Sequence, residues 1–403
     1  MLYQPERHEP LQISGWDETR AREVIAEIVR DTETRFSPDR WWQTHPQDQS
    51  KGRNDTYYML YLGACGVLWA LHYLEAIGAT RLFQSYAPYV KSLLEPNRVA
   101  MGQSDNAAFA SYLMGDTSIL LLSYWQEPLN ATSARLKELV AANIDHPSRE
   151  LMWGAPGTLL SSLFMYQRTG DAEWADLYRA TARRLWTQLE WSSELECHFW
   201  TQELGKRYTF LDGVHGFVAT VAPVIHGHHL LNAGESAAWE KCIANTVRRT
   251  AEWEGSLVNW RVFLNSAPGQ AEEKLVQFCH GAPGFVNCLA DFPDDSINDL
   301  LIGGGETTWQ AGPLKKGSNL CHGTGGNGYV FLKLYRRFKD LKWLDRARAF
   351  AMHGIAQTEA DRAKYGQGRY SLWTGELGFA IYLWDCIQGT DRFPTLDVFF
   401  ADG

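Results

Sequence analysis

Two kinds of hydrophobic pattern alternate along the chain. In the first kind, apolar residues recur every three or four positions, as in Trp174 to Leu189, where Arg179 and Arg183 fall off the apolar stripe. This period is typical of an amphipathic helix that covers a core with one face. Three more segments share the pattern: Asp17 to Arg35, Ala237 to Glu252 and Trp343 to Ile355. These segments therefore predict helices with one buried side.

The second kind of segment is apolar on nearly all sides and follows a short glycine-containing loop. A helix with this pattern is typically buried all round. The loops begin at Gly63, Gly115, Gly154, Gly213, Gly281, Gly323 and Gly375, and most of them read Gly-x-x-Gly. The second loop, Gly115-Asp116-Thr117-Ser118, lacks the closing glycine. The loop starts are separated by 39 to 68 residues, so a stacked solenoid of fixed period is not expected.

This alternation predicts an all-α fold. Each unit pairs an amphipathic outer helix with a buried inner helix, and the glycine loops gather at one end of the inner set. Seven such hairpins can close into a ring, an α/α toroid, and closure removes the need for capping repeats. We therefore predict a single domain over residues 1–403, in which the N-terminal helical segment 1–50 completes the ring. Residues 267–274 and 303–317 read as exposed loops, and no strand alternation is visible.

Composition narrows the functional classes. The 403 residues are 45% hydrophobic and include 17 tryptophans, enough for a large aromatic core. The formal net charge of −9 does not favour a phosphate backbone, so we expect no nucleic-acid partner. No apolar run approaches the roughly 20 residues of a membrane span, and no secretory signal is visible. The seven scattered cysteines then indicate reduced thiols and a cytoplasmic location.

Two of the glycine loops carry candidate metal ligands. Cys279-His280-Gly281 precedes the fifth apolar segment, and Cys321-His322-Gly323 precedes the sixth. Thiolate and imidazole are both good zinc ligands, and two equivalent turns can present them from neighbouring units. The N-terminus of a helix also favours the thiolate form of a cysteine. The pattern therefore predicts a Zn²⁺ site between these loops.

The same motifs carry a family resemblance. The two Cys-His-Gly loops, the extended run from Cys321 to Tyr329 and the recurrent Gly-x-x-Gly loops together resemble the lanthionine synthetase C-like (LanC-like) family, over about Gly63 to Cys386. The resemblance implies an α/α toroid with Zn²⁺ held by Cys279, Cys321 and His322, and an open fourth position is the pattern of a catalytic zinc. It also implies addition of a thiol, from glutathione or a peptide cysteine, to dehydroalanine or dehydrobutyrine in a peptide or protein.

Three residues are predicted to act in catalysis. His215, in the fourth loop, is the candidate acid or base because histidine titrates near neutral pH, and the family's cyclases carry a histidine in this loop. The resemblance also places an acidic residue at Glu150, which could orient His215 or accept a proton. Lys316 matches a lysine of the glutathione-binding relatives and would hold a thiolate, a developing enolate or a glutathione carboxylate. The neighbouring Lys315 leaves this last assignment ambiguous.

Two residues of the Cys-His-Gly loops are assigned to substrate binding together with Lys316. They are His280 and Asn327. His280 has the same local sequence as His322 but matches no metal ligand in the family, so a supporting or structural role for it stays open.

Two alternatives use the same fold. A zinc-containing protein that binds glutathione or a peptide without turnover would have the same metal site and the same ring. A carbohydrate-active toroid, such as a glycosidase or epimerase, needs a pair of carboxylates at the mouth of the ring, for which Asp212 and Glu376 are the candidates. This second alternative leaves the two Cys-His-Gly loops unexplained, and the fold alone does not decide.

Overall fold

The computed structural model describes residues 1–12, 14–49, 56–102, 109–265 and 273–401, and most of these residues are helical. In chain order the α-helices are α1 (Glu18–Thr34), α2 (Ala64–Ala76), α3 (Ala87–Val90), α4 (Leu94–Ala100), α5 (Asp116–Gln126), α6 (Asn130–Asn143), α7 (Ala155–Thr169), α8 (Ala172–Thr187), α9 (Phe217–His226), α10 (Ala233–Arg249), α11 (Ala282–Leu289), α12 (Asn298–Ala311), α13 (Thr324–Phe338), α14 (Leu341–Tyr365) and α15 (Glu376–Gln388). Short 3₁₀ turns occupy Pro5–Arg7, Lys91–Leu93 and His228–Leu230.

The helices form an inner and an outer layer. The inner layer consists of α2, α5, α7, α9, α11, α13 and α15, and each of these helices packs against the next one in chain order. The last inner helix, α15, packs against α2 and so closes the ring. The first helix of the chain, α1, covers α15 from outside. The predicted all-α toroid of seven hairpins is confirmed within the described residues, whereas the single domain over 1–403 stays a prediction.

Each inner helix begins directly after a glycine. These N-cap residues are Gly63, Gly115, Gly154, Gly216, Gly281, Gly323 and Gly375. The fourth loop was predicted to begin at Gly213, in line with the other six loops, but the N-cap of its helix is Gly216. A Cβ at Gly213 would lie 2.9 Å from the Cα of Gly284 in the next unit. Gly213 therefore serves a close contact between units, and the helix begins at the following glycine.

One predicted loop is a helix. Residues 303–311 were expected to be exposed, but they belong to α12, and Gly303, Gly304 and Gly305 are buried. A Cβ at Gly303 would lie 2.5 Å from Val258, and one at Gly305 would lie 2.3 Å from Leu334. The glycines thus allow α12 to approach its neighbours closely, which a pattern-based prediction mistakes for loop composition. The other predicted loop, 267–274, lies for the most part outside the described residues.

Short antiparallel hairpins follow two of the outer helices, although the sequence pattern predicts no strands. Strands of two to four residues are too short to show a recognisable alternation. The pairs are β1 (Glu190–Ser192) with β2 (Cys197–Phe199), β3 (Gln202–Glu203) with β4 (Arg207–Tyr208), and β5 (Ala251–Glu254) with β6 (Leu257–Trp260).

Residues 393–401 pass through the middle of the ring. The ring of Phe393 stacks on Phe278 with a centroid distance of 4.6 Å, and Phe399 lies 5.9 Å from Trp69. The wholly buried Lys333 of α13 holds this segment through Asp397, with 2.7 Å between Nζ and Oδ2. The interior of the toroid is therefore packed rather than open. Among the described residues, no helix has the length and apolar composition that crossing a membrane requires.

Substitution of a glycine in an inner helix tests why these positions lack side chains. A Cβ at Gly326 would lie 1.7 Å from the carbonyl oxygen of Leu320, a clash with backbone that no rotamer relieves. We expect Gly326→Ala to lower the free energy of unfolding in urea by about 3 kcal/mol, as overpacking does. The matched control is Gly15→Ala, which would place its Cβ in open space; it is expected to change stability by under about 0.5 kcal/mol. Equal effects of the two substitutions would contradict this explanation.

Candidate metal centre

A chain of backbone hydrogen bonds joins the seven loops that precede the inner helices. In five of these loops the residue two positions before the N-cap glycine donates its N–H to the carbonyl of its counterpart in a neighbouring loop. The links, with N–O distances, are Cys279 to Cys321 (3.0 Å), Cys321 to Trp373 (2.9 Å), Trp373 to Tyr61 (3.3 Å), Tyr61 to Leu113 (3.2 Å) and Leu113 to Met152 (3.3 Å). Leu151 then donates to Val214 at 3.3 Å. Side chains at this position therefore meet around the axis of the ring.

The backbone hydrogen bonds between the loops bring three predicted metal ligands together. The Sγ atoms of Cys279 and Cys321 and a ring nitrogen of His322 lie within 4.8 Å of one another. Cys279 donates a hydrogen bond to Cys321, which raises the pKa of the Cys279 thiol and lowers that of Cys321 well below the usual range. Two sulfurs and an imidazole at this separation fit zinc, which prefers such ligands in a tetrahedral set. Three protein donors would leave one position of a four-coordinate zinc without a protein ligand.

Neighbouring amides fix the two ligand loops. The Oδ1 atom of Asn319 accepts from the backbone N–H of His322 at 3.0 Å, and its Nδ2 donates to the carbonyl of Lys316 at 2.9 Å. The amide of Gln277 donates to Cys279 Sγ at 3.0 Å. Hydrogen bonds of this kind orient metal ligands and tune their basicity.

Sequence reasoning missed one residue of the centre. The hydroxyl of Tyr61 donates to Cys321 Sγ at 2.8 Å. Burial, followed by the charges of the two cysteines, raises the pKa of Tyr61, so the phenol stays protonated. A signal for it exists in the sequence, because Tyr61 stands two residues before its N-cap glycine, the same place that Cys279 and Cys321 occupy in their loops. A distant loop thus completes the surroundings of the metal ligands.

Two of the predicted catalytic residues form a hydrogen-bonded dyad. His215 Nδ1 lies 2.8 Å from Glu150 Oε2. Glu150 is fully buried and also accepts from the backbone N–H groups of Met152 and Trp153, at 2.9 and 2.6 Å. Burial lowers the pKa of His215, but the hydrogen bond and charge of Glu150 outweigh this effect, so the net shift is upward. The imidazole is therefore held in one orientation and favours its protonated form.

A second dyad repeats the first one unit further along. His280 Nδ1 lies 2.8 Å from Asp212 Oδ2, and Asp212 Oδ1 accepts from the backbone N–H of His215 at 2.7 Å. Burial raises the pKa of Asp212, but the charge of His280 and its hydrogen bonds lower it by more, so the carboxyl is ionised. Asp212 and Glu150 each stand four residues before the N-cap glycine of their unit. His280 and His215 each stand one residue before it. The two dyads are thus the same carboxylate–histidine arrangement, repeated in successive units.

Lys316 and Lys315 separate in space. Lys315 Nζ donates to the carbonyl of Glu6 at 2.9 Å. Lys316 is exposed and lines a cavity beside Asn319 together with Thr374 and Arg369. Arg369 is already paired with Asp48, through 2.7 Å between Nε and Oδ2. Lys316 therefore offers this cavity a cation whose ammonium forms no ion pair within the described part of the chain.

The remaining candidate site residues are buried or form hydrogen bonds with other groups of the protein. Asn327 is fully buried, and its Nδ2 donates to the carbonyl of Val276 at 2.9 Å, which steadies the loop before Cys279. Glu376, half of the carboxylate pair of the carbohydrate alternative, accepts from Arg362 at 2.8 and 2.5 Å. Its counterpart Asp212 is fully buried. Neither carboxylate is therefore free to face a sugar.

Comparison with known proteins gives a family match over most of the chain. The family model described as lanthionine synthetase C-like protein matches residues 54–398. The protein named Glutathione S-transferase LANCL1, from Danio rerio, is 36% identical over 148 residues, or 33% of this chain and 35% of that protein. LanC-like protein GCL1 from Arabidopsis thaliana is 32% identical over 139 residues, or 32% of each chain. The matched region thus covers about a third of the length of each relative.

A solved structure shares the architecture. Nisin cyclase aligns with a TM-score of 0.63, covering 95% of this chain and 98% of its own, at 15% sequence identity. At this identity the likeness shows the toroidal fold alone.

Metal analysis directly tests whether Cys279, Cys321 and His322 bind zinc. We expect about one zinc per chain in the reduced protein, and we expect Cys321→Ser to lose it, because a weaker oxygen ligand replaces one of two thiolates. The matched control is Cys65→Ser, since Cys65 is also buried but lies in α2, with Ser118 as its side-chain neighbour. Plasma emission spectrometry gives the stoichiometry after dialysis. Zinc retained by Cys321→Ser, or lost equally from both variants, would contradict the assignment.

Proposed function

Since the chain belongs to the lanthionine synthetase C-like family, we propose that it is a zinc-dependent enzyme that adds a thiol to dehydroalanine or dehydrobutyrine in a peptide or protein. The thiol comes from glutathione or from a peptide cysteine, and the product is a thioether. The observation that carries this proposal is the placing of the Glu150–His215 dyad on the same ring of loops as Cys279, Cys321 and His322. A thiol-activating centre and a proton-transfer group are the two parts that the reaction needs.

The reaction balances without a leaving group or a redox partner. The sulfur forms a bond to the β-carbon of the dehydroamino acid, the carbon–carbon double bond is lost, and negative charge develops on the carbonyl oxygen. The α-carbon then takes up one proton, which replaces the proton lost by the thiol. Held by Cys279, Cys321 and His322, zinc would supply a Lewis acid that makes a substrate thiol ionise near neutral pH.

His215 is the group that we assign to proton delivery. Its Nδ1 is engaged by Glu150, so the exchanged proton must be carried on Nε2. The raised pKa favours the protonated imidazole, which is the form that an acid requires. Glu150 positions the ring and stabilises its cationic form, while Tyr61 and Gln277 hold the two cysteine sulfurs through hydrogen bonds.

The polar cavity favours glutathione as one thiol donor. Glutathione carries carboxylates, and Lys316 presents an exposed cation within the cavity beside Asn319. The name of the relative from Danio rerio, a glutathione S-transferase, agrees with this choice. We propose that Lys316 binds a carboxylate of the thiol donor, and that His280 borders the reacting atoms through its ring. Asn327 would act indirectly, by holding the loop of Cys279.

A direct assay separates catalysis from binding without turnover. We expect the zinc-loaded protein to convert glutathione and a dehydroalanine peptide into an adduct whose mass is the sum of the two. His215→Asn is expected to lower kcat by about 100-fold, the usual contribution of a general acid, with little change in zinc content. His229→Asn is the control, because His229 is exposed and lies at the end of an inner helix. Glutathione binding without product above the uncatalysed rate would identify a binding protein.

The pH profile tests the role of the dyad. As an acid, His215 must start protonated, so kcat is expected to fall as pH rises through its raised pKa. Glu150→Gln removes the charge that raises this pKa, so the alkaline limb should move to lower pH. Glu194→Gln, at an exposed carboxylate, is the control. Rates are measured from pH 5.5 to 9 on variants whose thermal unfolding matches the native protein; an unmoved alkaline limb, or one at higher pH, would exclude His215 as the acid.

A further inference from the structure

Three aromatic side chains form one face of a small sheet beside the dyads. Phe210 and Phe263 are partners in an antiparallel bridge, and residues directly opposite one another project to the same side. Tyr208 stands two residues before Phe210, so it shares that side. On the opposite side, Leu211 and Leu264 are only 1% and 3% exposed and belong to the core. We call Tyr208, Phe210 and Phe263 the aromatic face.

The aromatic face is stacked and partly open to solvent. The centroids of Phe210 and Phe263 lie 4.7 Å apart, and those of Tyr208 and Phe210 lie 5.0 Å apart at an interplanar angle of 28°. All three side chains are half-buried. Backbone bonds make the support rigid, since Leu264 donates to the carbonyl of Thr209 at 2.7 Å and Leu211 donates to that of Val262 at 3.0 Å. Partly exposed aromatic clusters of this kind mark recognition surfaces.

The aromatic face continues directly into the candidate site. The ring of Phe210 lies 5.5 Å from that of His215 and 6.2 Å from that of His280, and it is nearly parallel to the latter. The cavity of Lys316 is lined instead by residues of the sixth and seventh loops and of the N-terminal segment, such as Ser318, Thr374 and His45. The candidate metal ligands of the fifth and sixth loops therefore lie between an aromatic surface and a polar cavity that contains the cation of Lys316.

We propose that the aromatic face binds an apolar side chain next to the dehydroamino acid of an acceptor peptide. This inference rests on the proposed function and names the acceptor that the site selects. Glutathione has no large apolar side chain and carries carboxylates, so it matches the Lys316 cavity rather than stacked rings. A peptide that places leucine or phenylalanine beside the reacting residue matches the aromatic face, and the contact with His215 and His280 brings the reacting residue to the dyads.

Binding of unreactive peptides tests this preference apart from turnover. Two peptides carry alanine in place of dehydroalanine and differ only in the neighbouring residue, leucine or glycine. We expect the native protein to bind the leucine peptide about fivefold to tenfold more tightly, as one aromatic contact provides. Phe263→Ser and Tyr208→Ser are expected to remove most of this preference, while Phe263→Leu keeps an apolar surface and is expected to keep it. Phe83→Ser is the matched control, because Phe83 is 69% exposed on another part of the ring.

Each outcome of this experiment decides the proposal. A preference lost in both serine variants and kept in Phe263→Leu and Phe83→Ser supports the aromatic face. Equal binding of the two peptides by the native protein, or a preference that survives both serine variants, overturns it. If Phe263→Ser fails to fold, the comparison of Tyr208→Ser with Phe83→Ser gives the answer. Turnover of a dehydroalanine peptide is measured in parallel, so absent catalysis would count against the proposed function and leave the binding preference to be judged by itself.

Discussion

The whole site depends on backbone hydrogen bonds that run from loop to loop around the axis of the toroid. They satisfy N–H and carbonyl groups that would otherwise be buried without partners, and they fix the distance between neighbouring loops. Cys279 bonds to Cys321, and Cys321 bonds to Trp373, through residues that occupy the same place in successive units. Side chains at that place come into contact in the fifth, sixth, seventh and first loops, where Cys279 lies beside Cys321, and Tyr61 contacts both Cys321 and Trp373. Two cysteines in adjacent units therefore meet, and the histidine that follows the second one joins them.

The dyads follow from the same repetition. In each case a carboxylate four residues before an N-cap glycine accepts from the backbone of its own turn and from the histidine of the next unit. An unpaired carboxylate would cost several kcal/mol to bury. The backbone donors and the imidazole offset this cost, so Glu150 and Asp212 can both be fully buried. In the fifth unit the equivalent residue is Gln277, an amide that instead donates to Cys279. The next histidine, His322, lies with the two cysteines in the candidate metal centre.

The face of the ring is chemically divided. Units three to five contribute the dyads, and the aromatic face lies beside them. Units six and seven contribute most of the polar cavity with Lys316, and the candidate metal ligands lie on the fifth and sixth loops. The segment of Phe393 packs against Phe278 inside the ring, so the interior of the toroid below these groups is filled with side chains. The proposed addition of a thiol to a dehydroamino acid needs such a division, because each of the two substrates must be held in position for reaction.

The sequence by itself determined most of the helices, their two layers and the set of candidate metal ligands. Its hydrophobic periods separate outer from inner helices, and the repeated Cys-His-Gly loops single out Cys279, Cys321 and His322, because these signals are local and recur. Tertiary structure alone decided which residues meet. The true start of the fourth inner helix depends on the contact of Gly213 with the next unit, the role of Tyr61 depends on ring closure, and Lys316 is distinguished from Lys315 only by the N-terminal segment that binds the latter. Each of these outcomes is a contact between residues far apart in the chain, and no local pattern records such a contact.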